Sequence, residues 1–379
     1  MEKICKCCKR QITDKPVFSL NNMPAGAQDF LDIKDLKEDK GIDIDLYQCP
    51  YCGLVQLFCE PVDYYKEVIR ATSVSSEMKA FRINQFRNLA KNYNLSGKKV
   101  IEFGCGNGDY LSVFKEAVDC DLYGLEYSDK NLKTCQNNGL NVIKGYLNDF
   151  DNPLEEGPFD AFFIMNFMEH MPDPSTFLKK ARENLNEDGI GLIEVPNCDM
   201  IFEKNLFSEL ISDHLMYFTK TTLEELLNIN GFEIIECNVI WHDYILSAVV
   251  KKKKMISGEG FSQNFNYMKS VFDKFIEERK PLGKIAIWGA GHQALANVAV
   301  LGFYKDIDFI IDSAKFKQDK YTPASHIYIT SPDILKNGEI KSVIIMAGSY
   351  SEEIAKIIKS DYPSVDGYIF KEGVLEKVL

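Results

Sequence analysis

The chain of 379 residues is long enough for two or three domains, each with its own hydrophobic core. Its hydrophobic content of 45% and charged content of 26% are typical of a globular protein, and its net charge of −12 argues against a nucleic-acid-binding surface. No apolar run approaches the roughly 18 residues of a membrane-spanning helix, and no signal-peptide pattern is present, so we expect a cytoplasmic protein.

Cysteines dominate the first segment. Six of the eleven cysteines fall within the first 59 residues of a chain without an export signal, which favours metal binding over disulfides. Two Cys-x-x-Cys pairs can supply four thiolates in tetrahedral geometry, which suits structural Zn²⁺. Cys7 is an alternative ligand, and a set of reduced, partly buried thiols is the alternative to a metal site. The predicted zinc ligands are Cys5, Cys8, Cys49 and Cys52.

The middle of the chain has the pattern of a doubly wound sheet. Met78–Tyr93 is predicted as an amphipathic helix that Ser75 or Ser76 would cap. From Lys98 to Lys251, short apolar strands alternate with helices, as in parallel α/β sheets. The predicted strands are Val100–Phe103, Leu122–Leu125, Asn141–Lys144, Ala161–Met165, Gly191–Val195, Phe232–Asn238 and Ile245–Val250.

A glycine-rich turn follows the first of these strands, with Gly104, Gly106 and Gly108. Glycines allow a tight turn and close approach of a ligand, and the next helix presents free N–H groups to it. The second strand ends in Glu126, where a carboxylate can accept hydrogen bonds from both hydroxyls of a ribose. Glu102 adds an anion that suits a cationic ligand better than a pyrophosphate. The alternative is a glycine-rich turn without a ligand.

Further polar motifs follow later strands of the same sheet. Ligands sit outside the carboxyl ends of parallel strands, so the glycine loop, Glu126, Leu147–Asp149 and Asn166–His170 are expected to share one cleft. His214 follows the fifth strand and is a candidate general base. We expect the neighbouring Asp213 to hold its tautomer and raise its pKa. The alternative for His170 and His214 is a structural hydrogen-bonding role.

A second α/β unit is predicted after the helical connector Phe261–Lys280. Gly289–Ala294 follows a strand and opens a helix, in a pattern similar to a dinucleotide fingerprint, and the next strand ends in Asp312. However, no Lys, Tyr-x-x-x-Lys or active-site Cys pattern lies beside this loop. The predicted strands are Lys284–Trp288, Ile307–Ile311 and Ser342–Met346.

The segment E-F-G-C-G-N-G followed by L-E-Y-S resembles motif I and the acidic loop of class I S-adenosylmethionine-dependent methyltransferases. Asn166–Pro174 is similar to their E-H-x-x-D-P loop. The resemblance implies an α/β fold: a class I (Rossmann-like) methyltransferase sheet with an antiparallel last strand, an N-terminal zinc-binding segment and a smaller C-terminal α/β domain. It implies S-adenosyl-L-methionine as cofactor, bound by Glu102, Gly104, Gly106, Gly108, Glu126, Tyr127, Leu147 and Asn166.

The whole arrangement resembles the sugar C-methyltransferase family, whose members methylate a carbon beside a keto group in nucleotide-linked deoxysugars. Asn22–Gln28, N-M-P-A-G-A-Q, and Lys315–Pro323 carry further parts of the resemblance. It implies domains at 1–75, 76–255 and 256–379. The implied catalytic residues are His214, Asp213 and His170, and the implied substrate contacts are Tyr65, Tyr217, His292 and Lys317.

Some positions depart from the family pattern. Ile211 and Asp213 stand where a tyrosine and a glutamate are expected, and Ile69–Ser73 replaces a tyrosine-rich stretch. The acceptor atom therefore stays open, because an O- or N-methyltransferase acting on a nucleotide sugar would keep His214 as its base. A different class is an NAD-binding oxidoreductase or regulator that uses Gly289–Gly291. The expected partner is a nucleotide-sugar substrate, without nucleic acid or membrane, for a monomer or homodimer.

Overall fold

The structure is a computed structural model that describes residues 2–13, 15–27, 30–67 and 74–378. It divides into two compact units, Met1–Lys254 and Met255–Leu379. Gln28 and Ile69–Ser73, singled out in the sequence, lie outside the described residues. Within the described ranges, no helix combines the length and apolar character needed to cross a membrane. The division into domains at 1–75, 76–255 and 256–379 stays a prediction.

In its described residues, the first unit contains eleven strands, six helices and three short 3₁₀ turns. Its strands are β1 (Phe18–Met23), β2 (Ile42–Gln48), β3 (Val55–Leu57), β4 (Lys99–Phe103), β5 (Asp121–Glu126), β6 (Asn141–Lys144), β7 (Phe159–Met165), β8 (Leu185–Pro196), β9 (Met216–Tyr217), β10 (Phe232–Ile240) and β11 (Ile245–Lys252). Its helices are α1 (Ser76–Tyr93), α2 (Asp109–Ala117), α3 (Asp129–Asn137), α4 (Pro174–Glu183), α5 (Cys198–Glu203) and α6 (Lys220–Ile229).

The main sheet of this unit has the strand order β10-β11-β8-β7-β4-β5-β6. Strands β4 to β8 pair in parallel, whereas β11 is antiparallel to both β8 and β10. This is the predicted class I methyltransferase sheet with its reversed last strand, so the predicted fold class is confirmed. The predicted strands coincide with observed strands, although several observed strands are longer.

Both faces of this sheet are covered, which explains the nearly continuous apolar runs of its strands. Phe162 and Phe163 are neighbours on β7, yet they belong to different buried clusters because successive side chains point to opposite faces. Phe162 lies in the cluster of α4 and α6, and Phe163 lies in the cluster of α1 and α2. Helix α1 begins after Ser75, whose side chain accepts a hydrogen bond from Met78 N as an N-cap.

A small sheet that the sequence analysis did not predict has the order β1-β2-β3-β9. Its last pairing is between β3 and β9, with Val55 opposite Tyr217 and Gln56 opposite Met216. Leu57 N also donates to Leu215 O at 3.0 Å. The N-terminal segment is therefore hydrogen-bonded to the residues that directly follow His214.

The second unit is a further α/β sandwich. Its parallel strands are flanked by antiparallel edge strands, in the order β14-β15-β13-β12-β16-β17-β18. The order reverses at β12, so its carboxyl end and that of β16 border a crevice. The elements are α7 (Glu259–Arg279), β12 (Lys284–Trp288), α8 (His292–Leu301), β13 (Phe309–Ile311), β14 (Lys320–Tyr321), β15 (Tyr328–Thr330), β16 (Ile340–Ile345), α9 (Ser351–Asp361), β17 (Asp366–Lys371) and β18 (Val374–Val378).

Candidate functional site

The glycine loop lies between β4 and α2 at the carboxyl edge of the main sheet. Gly104 has a φ of +73°, and a Cβ placed on it would lie 2.5 Å from Cδ1 of Phe167. Gly108 has a φ of +80° and stands at the N-cap of α2. Both positions thus combine a left-handed backbone with close neighbours, a combination that only glycine meets without strain. Phe167 brings the loop after β7 directly against this turn.

Two buried carboxylates flank the glycine loop. Glu126, at the end of β5, accepts hydrogen bonds from Gly106 N at its Oε2 and from Ser128 N at its Oε1, both at 2.8 Å. Burial raises the pKa of Glu126, although these hydrogen bonds oppose the effect. Glu102 is fully buried on β4 and lies opposite Gly124 of β5. Glu126 therefore fixes the loop from β5, and Glu102 places a second carboxyl group on the neighbouring strand.

The remaining predicted cofactor residues lie at the same edge of the sheet. Leu147 is buried after β6, and Tyr127 is exposed after β5, with Lys66 Nζ 5.1 Å from its ring centre. Asn166 follows β7 with a φ of +49°. Its Oδ1 is buried without a hydrogen-bond partner among the described residues. A glycine cradle beside an unsatisfied buried oxygen fits a polar ligand, so these residues could hold S-adenosylmethionine.

Two histidines meet at this edge. The rings of His170 and His214 are 4.8 Å apart in an edge-to-face arrangement. Nδ1 of His170 lies 2.9 Å from the main-chain oxygen of Asp213. Because a carbonyl only accepts hydrogen bonds, this contact assigns the proton of neutral His170 to Nδ1 and leaves Nε2 as an acceptor. The structure thus brings the two predicted catalytic imidazoles together.

The Asp213 side chain does not contact His214 as expected. Its Oδ1 accepts from Ala27 N at 2.8 Å, and its Oδ2 accepts from the Tyr64 hydroxyl at 2.7 Å. The pKa of His214 is lowered to about 3, because burial disfavours the imidazolium and His170 adds a further positive charge when protonated. The prediction that Asp213 raises the pKa of His214 is therefore wrong, because both oxygens of the Asp213 carboxylate accept hydrogen bonds from the N-terminal segment.

Glu169 is a site residue that the sequence analysis missed. It is 1% exposed, and its Oε1 lies 3.8 Å from Nε2 of His170. A carboxylate oxygen of Glu169 and one ring nitrogen each of His170 and His214 all lie within 4.8 Å of one another. Burial raises the pKa of Glu169 to about 8. The available signal was its place directly before His170 in a loop at the carboxyl end of a strand.

Of the two tyrosines predicted to contact substrate in this unit, Tyr217 lies beside the histidine pair. The hydroxyl of Tyr217 accepts from Ile211 N at 2.9 Å and donates to Ile211 O at 3.0 Å, and its ring centre is 6.1 Å from that of His214. Tyr65 packs edge-to-face on Tyr146 at 6.0 Å. The hydroxyl of Tyr217 thus shapes the loop before His214, and the substrate contacts of both tyrosines stay predictions.

The four predicted zinc ligands form one cluster. The sulfurs of Cys5 and Cys52 are 3.6 Å apart, as are those of Cys8 and Cys49, and all four lie within 4.8 Å of one another. Four sulfurs placed tetrahedrally at roughly 2.3 Å from a zinc ion would be about 3.8 Å apart. These distances fit a zinc ion and are too long for disulfide bonds.

The second unit has its own cavity of about 710 Å³ at the reversal of strand order. His292 and Lys317 both line it, together with the glycines that precede α8. Asp312 accepts hydrogen bonds from Ala290 N at 2.9 Å, Ala314 N at 2.8 Å and Lys317 Nζ at 2.8 Å. The predicted residues of this unit therefore surround one cavity, where these three donors hold the Asp312 carboxylate in place.

The chain is similar to known methyltransferases. Residues 77–237 match the Methyltransferase domain model, and residues 250–367 match the C-methyltransferase C-terminal domain model. The C-methyltransferase NovU of Streptomyces niveus is 22% identical over 288 residues, which cover 68% of each chain. The ubiquinone biosynthesis O-methyltransferase of Bordetella pertussis is 32% identical over 93 residues, 23% of this chain and 37% of that protein. A solved S-adenosylmethionine-dependent methyltransferase from Clostridium acetobutylicum has a TM-score of 0.38 and 11% identity, covering 46% of this chain and 92% of that one.

Proposed function

This chain belongs to the S-adenosylmethionine-dependent methyltransferases, and we propose that it methylates a carbon next to the keto group of a nucleotide-linked sugar. The observation that carries the proposal is the His170–His214 pair at the sheet edge that bears the glycine loop. Because burial lowers the pKa of His214 to about 3, its imidazole is neutral at physiological pH and has a lone pair for a proton. The match to the C-methyltransferase C-terminal domain supports carbon as the acceptor.

In the proposed reaction, the keto group acidifies the hydrogen on the neighbouring carbon. His214 takes that proton, the C–H electron pair becomes the C=C bond of an enolate, and the carbonyl oxygen gains the negative charge. His170 positions a sugar hydroxyl, because its Nδ1–H is already donated to the main-chain oxygen of Asp213 and the neutral ring has no second N–H for the enolate oxygen. Bound S-adenosylmethionine supplies a sulfonium methyl group for in-line attack by the enolate carbon. The ketone then re-forms, and His214 later releases its proton to solvent.

The second unit is proposed to dock the nucleotide part of the substrate. Lys317 and the N-terminus of α8, where His292 stands, supply positive charge around the cavity, which suits phosphate groups. No Lys, Tyr-x-x-x-Lys or active-site Cys pattern lies beside this loop in the sequence, which favours this role over that of an NAD-binding oxidoreductase. Lys317→Ala in the full chain should raise the Kd for a nucleoside diphosphate, measured by calorimetry. An unchanged Kd would contradict this role.

We also propose that Cys5, Cys8, Cys49 and Cys52 hold a structural zinc ion. The four thiols supply a complete tetrahedral donor set, so no coordination position is open for substrate. The ion would fix the N-terminal segment, whose Ala27 and Tyr64 contact Asp213. Metal would then act on the reaction only through the position of the His214 loop.

Product analysis with a panel of keto and non-keto nucleotide sugars prepared in deuterated water tests the function. A methyl group gained with loss of one ring C–H deuteron would support the C-methyltransferase. A methyl gained with every ring deuteron retained would identify an O- or N-methyltransferase, the second candidate, which the similarity to a ubiquinone biosynthesis O-methyltransferase favours. His214→Ala serves as the control, because it should abolish either reaction without preventing cofactor binding.

A further inference from the structure

Glu169 is a buried acid that the proposed mechanism does not yet use. Its Oε1 lies 3.8 Å from Nε2 of His170, whereas its Oε2 is buried without a hydrogen-bond partner among the described residues. An unpaired carboxyl oxygen in a protein interior is costly to keep. One carboxyl oxygen of Glu169 also lies within 4.8 Å of a ring nitrogen of His214. The position and the cost both suggest a role at the histidine pair.

The hydrogen bonds of this cluster fix where its protons reside before the reaction. The main-chain oxygen of Asp213 places the proton of neutral His170 on Nδ1, so Nε2 presents a lone pair towards Glu169. A protonated Glu169 carboxyl is a donor of matching polarity. An ionised Glu169 carboxylate would instead accept a hydrogen bond from a ring nitrogen that carries a proton. Glu169 can therefore occupy the site in two protonation states, each with a suitable partner.

His214 needs a counter-charge that Asp213 does not supply. A buried imidazolium is unfavourable without a nearby anion, and both oxygens of Asp213 are engaged with Ala27 and Tyr64. Tyr244, on which Glu169 also acts electrostatically, donates its hydroxyl to Glu209 at 2.8 Å. Among the described acids, Glu169 is the one that clusters with a ring nitrogen of both histidines within 4.8 Å.

We propose that Glu169 is a positioning residue that links the two histidines by proton transfer. When His214 takes the substrate proton on the ring nitrogen that faces the sugar, the Glu169 proton moves to Nε2 of His170, and the resulting carboxylate becomes the counter-charge of the His214 imidazolium. One carboxylate then lies between two imidazolium ions. The charge balances, because the enolate and Glu169 gain one negative charge each and the two histidines gain one positive charge each. After methyl transfer, one proton leaves to solvent and the other returns to Glu169.

This inference rests on the proposed function, so its test separates proton removal from methyl transfer. The full-length enzyme is incubated in deuterated water with S-adenosylhomocysteine and a nucleoside-diphosphate-linked 4-keto-6-deoxysugar, and exchange of the ring C–H is followed by NMR. We expect Glu169→Gln to slow exchange and turnover by tenfold or more, with KM for the sugar and Kd for the cofactor unchanged within twofold. Glu169→Asp should restore part of the rate. Glu203→Gln, at an exposed position, is the matched control.

The pH profile provides a readout that a structural role would not affect. The titratable groups around Glu169 are His170, His214, Asp213 and Tyr244, so each is kept while Glu169 alone is changed. The exchange rate of the wild-type enzyme should fall at acid pH, because the histidines and Glu169 gain protons. Glu169→Gln should shift or remove this fall at acid pH. Exchange and a pH profile equal to those of the wild type would overturn the proposal.

A second measurement does not depend on the substrate. Nitrogen-15 NMR of labelled histidines, in the cofactor-bound protein, reports which ring nitrogens carry protons. We expect Glu169→Gln to change the signals of both His170 and His214, assigned with single histidine variants, while His242 stays unchanged. If the histidine signals of Glu169→Gln equal those of the wild type, the proposed link between Glu169 and the two histidines is overturned. An absence of exchange in the wild-type enzyme, together with altered signals in the variant, would refute the sugar substrate and leave the link supported.

Discussion

The side-chain amide of Gln56 donates a hydrogen bond to the sulfur of Cys5 at 3.3 Å, and its oxygen accepts from Lys6 N at 2.8 Å. Gln56 is fully buried, and its main chain pairs with Met216 of β9. One residue therefore joins the cysteine cluster to the strand that begins two residues after His214. The cluster and the histidine site are adjacent parts of one small sheet, although they are far apart in sequence.

Cys49→Ser should lower metal content, thermal stability and turnover together. Loss of one thiolate opens the tetrahedral site, and the binding free energy of a structural metal is part of the folding free energy. Metal analysis and thermal unfolding check the prediction, with Cys120→Ser as a control because Cys120 lies outside the cluster. A zinc-free Cys49→Ser protein as stable as the wild type would favour a set of reduced thiols.

His214→Ala should reduce turnover by about a hundredfold or more while leaving the Kd for S-adenosylmethionine nearly unchanged. General-base catalysis typically contributes about 10²–10⁴ in rate, and His214 is not among the residues that surround the glycine loop. Steady-state kinetics and calorimetry give the two quantities. His242→Ala is the matched control, since His242 is 74% exposed in its side chain. Equal turnover in His214→Ala would remove this residue from the mechanism.

Gly104→Ala should abolish tight cofactor binding. The added Cβ would lie 2.5 Å from the Phe167 ring and would require a left-handed backbone at φ +73°. Gly97→Ala has a similar φ of +69° but open space around its Cβ, so it isolates the effect of the clash. The Kd for S-adenosylmethionine should rise by tenfold or more in the first variant only. Equal Kd values for S-adenosylmethionine in the two variants would show that the Phe167 ring can move to make room for the added methyl group.

The order of local patterns along the chain was sufficient to predict the main sheet. Strand β6 was predicted with its observed limits, Asn141–Lys144, because an apolar pair there is bounded by Gly139 and Gly145. Strand β3 is only Val55–Leu57, and it becomes a strand by pairing with β2 and β9. Such a short segment carries too little periodicity to be recognised before its partners are known.

The histidine site was predicted only in part, because some of its contacts depend on residues that are far apart in sequence. Motif spacing placed His170 and His214 on one edge of the sheet, since that edge is a property of the fold. The Asp213 carboxylate instead contacts Ala27 N, 186 residues away in sequence. The position of Asp213 next to His214 in the sequence does not predict which group its carboxylate contacts, because that contact is a long-range hydrogen bond. Glu169 was missed because nothing in the sequence distinguishes a buried carboxyl from an exposed one.

The buried ion pair between Arg82 of α1 and Glu194 of β8 should be costly to break on one side only. Both side chains are 0% exposed, and Nη1 of Arg82 lies 2.5 Å from Oε2 of Glu194. Glu194→Leu would leave an uncompensated buried charge and cost about 3–5 kcal/mol, whereas the double variant with Arg82→Met should lose less. Urea unfolding measures both. Lys251→Gln, which removes an exposed pair with Glu233, should cost at most about 1 kcal/mol. A double variant at least as unstable as Glu194→Leu would contradict this account.

His214 should make folding stability fall on acidification. The unfolded imidazole titrates near 6.5 and the folded one near 3, so the unfolded chain binds more protons between these pH values. Stability from this group is therefore complete above pH 6.5 and is lost as the pH falls, by at most about 1.4 kcal/mol per pH unit. His214→Gln should remove this slope, as measured by urea unfolding over a pH series.

Glu169 should act in the opposite direction. Its carboxyl titrates near 4.5 in the unfolded chain and near 8 in the folded unit, so the folded protein binds more protons between these values. Stability from Glu169 is therefore lost as the pH rises from 4.5 to 8. Subtracting the unfolding free energy of Glu169→Gln from that of the wild type should give a difference that falls with pH over this range. A difference that is flat would mean that the carboxyl is already ionised in the folded protein, held by a proton on one of the two histidines.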